Sequence, residues 1–184
     1  MLLRLTALLA VVLAAAACSS SSGSSAPASG QGPPTASTLP ASGTVKLSDG
    51  KIYTVAAPGE TLRLDNLTLH INKVGWNRHI DAPVTPPGTR TYAVFSVDVS
   101  NGTKTAQSIQ ATQIWLRNTL NHTYLASAAA KVPDPLIGQR IQPGQKVTGD
   151  LVFALPGHMQ GGLLVYRFGD QPATATHVGI ARYS

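Results

Sequence analysis

Apolar side chains recur at every second position along much of this chain. In Leu67-Thr-Leu-His-Ile71 they fall at 67, 69 and 71, and in Tyr92-Ala-Val-Phe-Ser-Val-Asp-Val99 positions 93, 95, 97 and 99 form one face. Val147–Leu155 repeats the pattern with 147, 151, 153 and 155 inward. A period of two puts alternate side chains on opposite faces of an extended strand, so each segment predicts a half-buried antiparallel strand with one face on a core and one in water. Shorter candidates are Lys51–Val55, Thr61–Asp65, Gln113–Arg117, His122–Leu125, Leu163–Phe168 and His177–Tyr183. Turn-forming clusters separate them: Ala-Pro-Gly-Glu at 57–60, Ser-Asn-Gly-Thr at 100–103, Gln-Pro-Gly-Gln at 142–145 and Leu-Pro-Gly at 155–157. No segment carries a helical stripe. Many short strands with turns every ten or so residues predict an all-β, two-sheet sandwich.

The alternation begins only near Thr44, and what precedes it has a different grammar. Met1–Arg4 is a short positive segment, Leu5–Ala16 an apolar stretch too short to span a bilayer as a permanent helix, and Ala15-Ala16-Ala17 leads into Cys18, the single cysteine. This order resembles the bacterial lipobox, with Ala15 in the place usually held by Leu. The resemblance implies a signal peptide over 1–17, cleavage before Cys18 and acylation of its thiol. A plain secretory signal cut after Ala17 is the competing reading, and it would leave an unpaired thiol in an oxidising compartment. Each buried CH₂ contributes about 0.8 kcal/mol, so two or three acyl chains anchor stably where one is marginal. Ser19–Gly43 is Ser, Gly, Ala, Pro and Thr without a charge. It has little to bury against the entropy of ordering, which predicts that 18–43 is a disordered tether with a reach of roughly 25–30 Å. A single domain over 44–184 follows, large enough for one core.

Charge changes the picture little. Fourteen basic residues, of which Arg4 falls in the signal, stand against eight acidic ones in the domain. The excess is modest and spread, with no block of like charges, so no nucleic-acid partner is expected.

Catalytic patterns are missing. No Gly-x-Ser-x-Gly elbow, phosphate-cradling glycine loop or His-Glu-x-x-His occurs, and the single glutamate, Glu60, sits in a turn. Asp98 and Asp150 lie mid-strand in the water-facing phase, where a solvated charge is the simplest account. The chain is therefore expected not to be an enzyme and to carry no cofactor. The five histidines, His70, His79, His122, His158 and His177, show no paired ligand spacing, so no metal site is assigned. His158-Met159 alone suggests Cu(I), which keeps a copper or redox accessory protein as the alternative. The Asn-x-Thr triplets at Asn66, Asn101 and Asn121 are taken as turn and strand-edge residues in a bacterial chain.

From about Gly59 to Phe168 the chain resembles the immunoglobulin-like (telokin-like) domain of bacterial surface lipoproteins of unknown function, related to an immunoprotective extracellular antigen domain of mycobacteria. The resemblance rests on Leu67–Val74, on Tyr92–Val99 followed by Ser100-Asn101-Gly102, and on Gln142-Pro143-Gly144 leading into Val147–Leu155. It implies an immunoglobulin-like antiparallel β-sandwich displayed on the outer face of a membrane through the lipid on Cys18. It transfers no active site. The expected function is a non-catalytic binding module whose partner is a protein, a wall polymer or a small molecule.

Gly75–Thr89 is a long irregular connection in the domain, and it collects Trp76, Arg78 and His79. Long loops are often functional, Trp and Arg are favoured anchors, and three prolines limit the entropy lost on docking. These three residues are the candidate binding set. Equally, Trp76 beside a strand end suits a side chain that plugs the end of the sandwich.

Overall fold

The computed structural model describes residues 39–47, 49–82, 85–167 and 177–184; Cys18, the signal segment and the tether as far as residue 38 lie outside them. The spine is strand β5 (Thr91–Asn101), whose alternate residues Ala93, Phe95, Val97 and Val99 are buried as the periodicity requires. It is flanked by β4 (Leu67–Asn77) and β10 (Lys146–Leu155), and β3 (Thr61–Leu64) completes a four-stranded antiparallel sheet in the order β10-β5-β4-β3. The facing sheet has six strands in the order β1-β2-β12-β11-β7-β8: β1 (Gly43–Lys46), β2 (Ile52–Ala56), β12 (His177–Tyr183), β11 (Gly162–Arg167), β7 (Ile114–Arg117) and β8 (Thr123–Leu125). A two-stranded ribbon joins β6 (Gln107–Ser108) to β9 (Arg140–Ile141). Ladder pairing is antiparallel except between β2 and β12, which run parallel.

The two sheets close on one core, as a β-sandwich does. Leu62, Leu64, Leu69, Phe95, Val97, Leu151 and Phe153 from one sheet meet Ile114, Leu116, Leu164, Tyr166 and Tyr183 from the other. Phe95 sits at its centre, edge-on to Phe153 with ring centroids at 5.5 Å and to Tyr183 at 4.9 Å. Such pairs add about 0.5–1.5 kcal/mol each beyond the area they bury. Close approach of the sheets needs Gly179 in β12, where a Cβ would run into Leu62 and Leu64.

Three features depart from simple alternation. Strand β4 continues past Ile71, because a bulge at Asn72 shifts its register against β5 by one residue. An extra residue inverts the phase, so Val74 and Trp76 face the core where Leu67 and Leu69 did before it. The loop expected over Gly75–Thr89 is thereby shortened: Gly75, Trp76 and Asn77 are strand residues opposite Val94, Ala93 and Tyr92. Secondly, the outer face of β10 and β5 is not wholly in water, since Ile80 and Ala130 from two connections bury Tyr92 and Val152. Asp150, expected as a solvated charge, is half-buried beside the Asp134–Leu136 connection; burial raises its pKa, with a smaller push from Asp134. Thirdly, the outer face of the six-stranded sheet is apolar, with Tyr53, Val55, Trp115, Leu163, Val165, Val178 and Ile180 buried alongside Leu39. Arg182 Nη2 donates to the Leu39 and Pro40 carbonyls at 3.4 and 3.1 Å. The last residues of the stretch read as tether therefore lie against the sheet.

Candidate functional site

Of the three candidate binding residues, Trp76 is half-buried and packs against the core, while Arg78 and His79 are exposed in the connection that follows. The Trp76 ring lies on His158, centroids 4.0 Å apart and planes tilted by 37°. Among the described residues no hydrogen bond or ring contact joins Trp76 to Arg78 or His79. Met159, the neighbour of His158, packs against the central core. No group of three or more His, Cys, Asp or Glu among the described residues could hold a metal ion.

A more organised polar arrangement lies on the outer face of the four-stranded sheet, near the opposite end of β4. Strand pairing sets Thr61 against His70, His70 against Asp98, and Asp98 against Thr148. In the next row it sets Thr68 against Ser100 and Ser100 against Lys146. Alternation sends all of these side chains to the face opposite the core, because their neighbours Leu62, Leu69, Val97 and Val99 point inward. Thr61, Thr68, His70, Asp98, Ser100 and Lys146 line an open groove of about 250 Å³.

Asp98 is the hub of the groove, and is not the plain solvated charge that its strand phase suggests. Its side chain keeps only 18% of its exposure. Lys146 Nζ approaches Oδ2 to 2.6 Å, Thr148 Oγ1 donates to Oδ1 at 2.7 Å, and Asn72 Nδ2 donates to the same oxygen at 3.0 Å. Asn72, in phase with Thr68 and His70 and at the bulge of β4, reaches the carboxylate from the neighbouring strand. Lys146, then Thr148 and Asn72, hold the Asp98 pKa down at about 2, against the desolvation that would raise it. Such a carboxylate stays ionised and is a poor proton acceptor at neutral pH, so it suits binding better than acid–base work. Beside it the Thr61 hydroxyl and His70 Nδ1 are 3.3 Å apart.

No single segment of the sequence reveals this cluster. Its signal was the polar phase of the strands, Thr68/His70 in β4 and Ser96/Asp98/Ser100 in β5, together with the register that aligns them. Asn101, expected as a turn residue in a sequon, is instead fully buried. Its Nδ2 donates to the carbonyls of Thr105 and Ile141 at 2.8 and 2.9 Å, and its Oδ1 accepts from the Thr103 backbone N–H and hydroxyl. It ties the end of β5 to the β6–β9 ribbon just behind the groove.

The family model described as "Domain of unknown function (DUF4352)" matches residues 56–176. Among solved structures, the yjhA protein from Bacillus subtilis aligns at TM-score 0.53 and 16% identity, over 69% of this chain and 98% of that one. The candidate lipoprotein ycdA from Bacillus subtilis subsp. subtilis str. 168 aligns at TM-score 0.52 and 17% identity, over 68% of this chain and 38% of that one. The secreted protein MPT63 from Mycobacterium tuberculosis aligns at TM-score 0.45 and 17% identity, over 68% of this chain and 95% of that one. The curated proteins include no match. At such identities the likeness to the first two is one of fold.

Proposed function

This chain belongs to the DUF4352 family, and from that premise we propose that it is a non-catalytic binding module, exported and held at the outer face of a membrane by a lipid on Cys18. The Met1–Ala17 signal order and the uncharged stretch before Leu39 support export and tethering, with the folded domain including Leu39 and the β1 strand from Gly43. The telokin-like reading rests on the Tyr92–Gly102 and Gln142–Leu155 segments and agrees with a display role.

One observation carries the binding assignment: the Asp98 groove. Strands are usually decorated by scattered solvated side chains, whereas here Lys146, Thr148 and the bulge residue Asn72 converge on a single ionised carboxylate, and Thr61, Thr68, His70 and Ser100 line the same groove. Preorganised donors and acceptors in a concavity are what a small or polymeric polar partner needs for orientation. Trp76, Arg78 and His79 form a second contact surface in this proposal, at the other end of β4.

The test uses the full chain carrying Cys18→Ser, so that retention no longer depends on the lipid. Binding to isolated cell envelopes should fall at least tenfold with Ser100→Phe, which fills the groove from a strand position facing it. Retention indifferent to Ser100→Phe, with the melting temperature kept, would remove the groove from the binding face.

A further inference from the structure

We propose that the Asp98 groove recognises a neutral sugar ring. This rests on the groove being the binding face, and the argument concerns which chemistry it accepts. Asp98 and Lys146, 2.6 Å apart, neutralise each other, so the floor offers neither an anion nor a cation a net attraction. What remains is a floor without net charge that is rich in groups able to form hydrogen bonds.

Those groups come in both polarities. Asp98 Oδ1 already accepts from Asn72 and Thr148, whereas Oδ2 accepts from Lys146 and keeps acceptor capacity. The Lys146 ammonium has further N–H donors, and its side chain is 61% exposed. The Thr68 and Ser100 hydroxyls and the imidazole of His70 can act in either sense. A ligand matching this floor must donate and accept from neighbouring atoms of one small, neutral, rigid body. Adjacent hydroxyls on a sugar ring do so. The groove's volume of about 250 Å³ lies just below the usual range of ligand pockets and suits one ring, with an open side through which a chain of rings could continue. The Asp98–Asn72–Thr148 network fixes the carboxylate before the ligand arrives, so little ordering entropy remains to be lost.

The full chain, in a sugar-free detergent, is titrated and followed by saturation-transfer NMR. The neutral probes are methyl α-glucoside, methyl α-galactoside, methyl α-mannoside and N-acetylglucosamine; glucuronate and glucosamine are their charged counterparts, and dextran and mannan present internal rings. At least one neutral probe should saturate, with the charged counterparts at least tenfold weaker. Saturation by methyl glycosides identifies a free or terminal sugar, and saturation by a polysaccharide alone identifies a ring within a polymer. Asp98→Asn and Ser100→Phe should each weaken binding tenfold or more; the second leaves the carboxylate network in place should the first lower the melting temperature. Saturation by no neutral probe, equal binding of charged counterparts, or indifference to both variants overturns the proposal. If envelope retention still responds to Ser100→Phe while no sugar binds, the ligand class is wrong and the binding face stands. If neither responds, both fall.

Discussion

The rings of Trp76 and His158 lie 4.0 Å apart, centroid to centroid, closing the space between the end of β4 and the connection after β10. Trp76 reaches this position only because the bulge at Asn72 reverses the phase of its strand. A half-buried indole stacked on a neighbouring ring contributes to stability, although less than a fully enclosed one. Trp76→Ala should cost about 2 kcal/mol and lower the melting temperature by several degrees. Differential scanning fluorimetry checks it. Unchanged stability would contradict the packing of Trp76 on the core and on His158, leaving it a contact residue alone.

Asp98 gives a pH signature. Its folded pKa of about 2 lies below the ordinary 3.8, so its contribution is fully present above about pH 5 and is lost as pH falls towards 2. Solvent screening limits that contribution to about 1 kcal/mol. Asp98→Asn should therefore flatten the decline in stability between pH 5 and pH 2, measured by urea denaturation at several pH values. A variant that declines as steeply as the parent would show that Asp98 is not held by Lys146, Thr148 and Asn72 in solution.

Phe95 anchors the core between Phe153 and Tyr183. Phe95→Ala should cost about 3–5 kcal/mol, because the cavity it leaves lies between two sheets that cannot easily collapse. Chemical denaturation measures this directly, and a loss below 1 kcal/mol would contradict the central placement.

Asn101 is fully buried, with its amide donating to two carbonyls and its oxygen accepting from Thr103. Asn101→Ala removes the amide donor to the Ile141 carbonyl, while that of Thr105 keeps the Thr103 hydroxyl, and should cost about 1–3 kcal/mol. Hydrogen exchange should rise first in the β6–β9 ribbon, which the side chain ties to β5. Protection that remains unaltered there would refute the tie.

Cys18 lies outside the described residues, and its test is chemical. With Cys18→Ser, the protein should leave the membrane fraction or persist as an unprocessed precursor. Unchanged partition and mass would rule out lipidation.

Much of the sandwich is legible in the sequence because strand period and burial are local consequences of side-chain order. Residues 93, 95, 97 and 99 face a core simply because they alternate with polar neighbours, and the Pro-Gly turns mark where strands stop. The turn glutamate needs no tertiary context either: Glu60 Oε2 accepts from the Ala57 N–H three residues back. Polar alternation likewise exposes Thr68, His70, Asp98 and Ser100 to the outer face. Whether they meet, however, depends on which strands pair and in what register, and residues 26 or more apart in sequence carry no local trace of that. The bulge at Asn72 interrupts the alternation that would extend β4, so the pattern along the chain does not place Trp76 in a strand. Leu39 and the connections bearing Ile80 and Ala130 cover faces that alternation alone assigns to water. The pattern along the chain determines which side chains leave the core. Long-range pairing and packing decide which of them become neighbours, and only neighbours make a site.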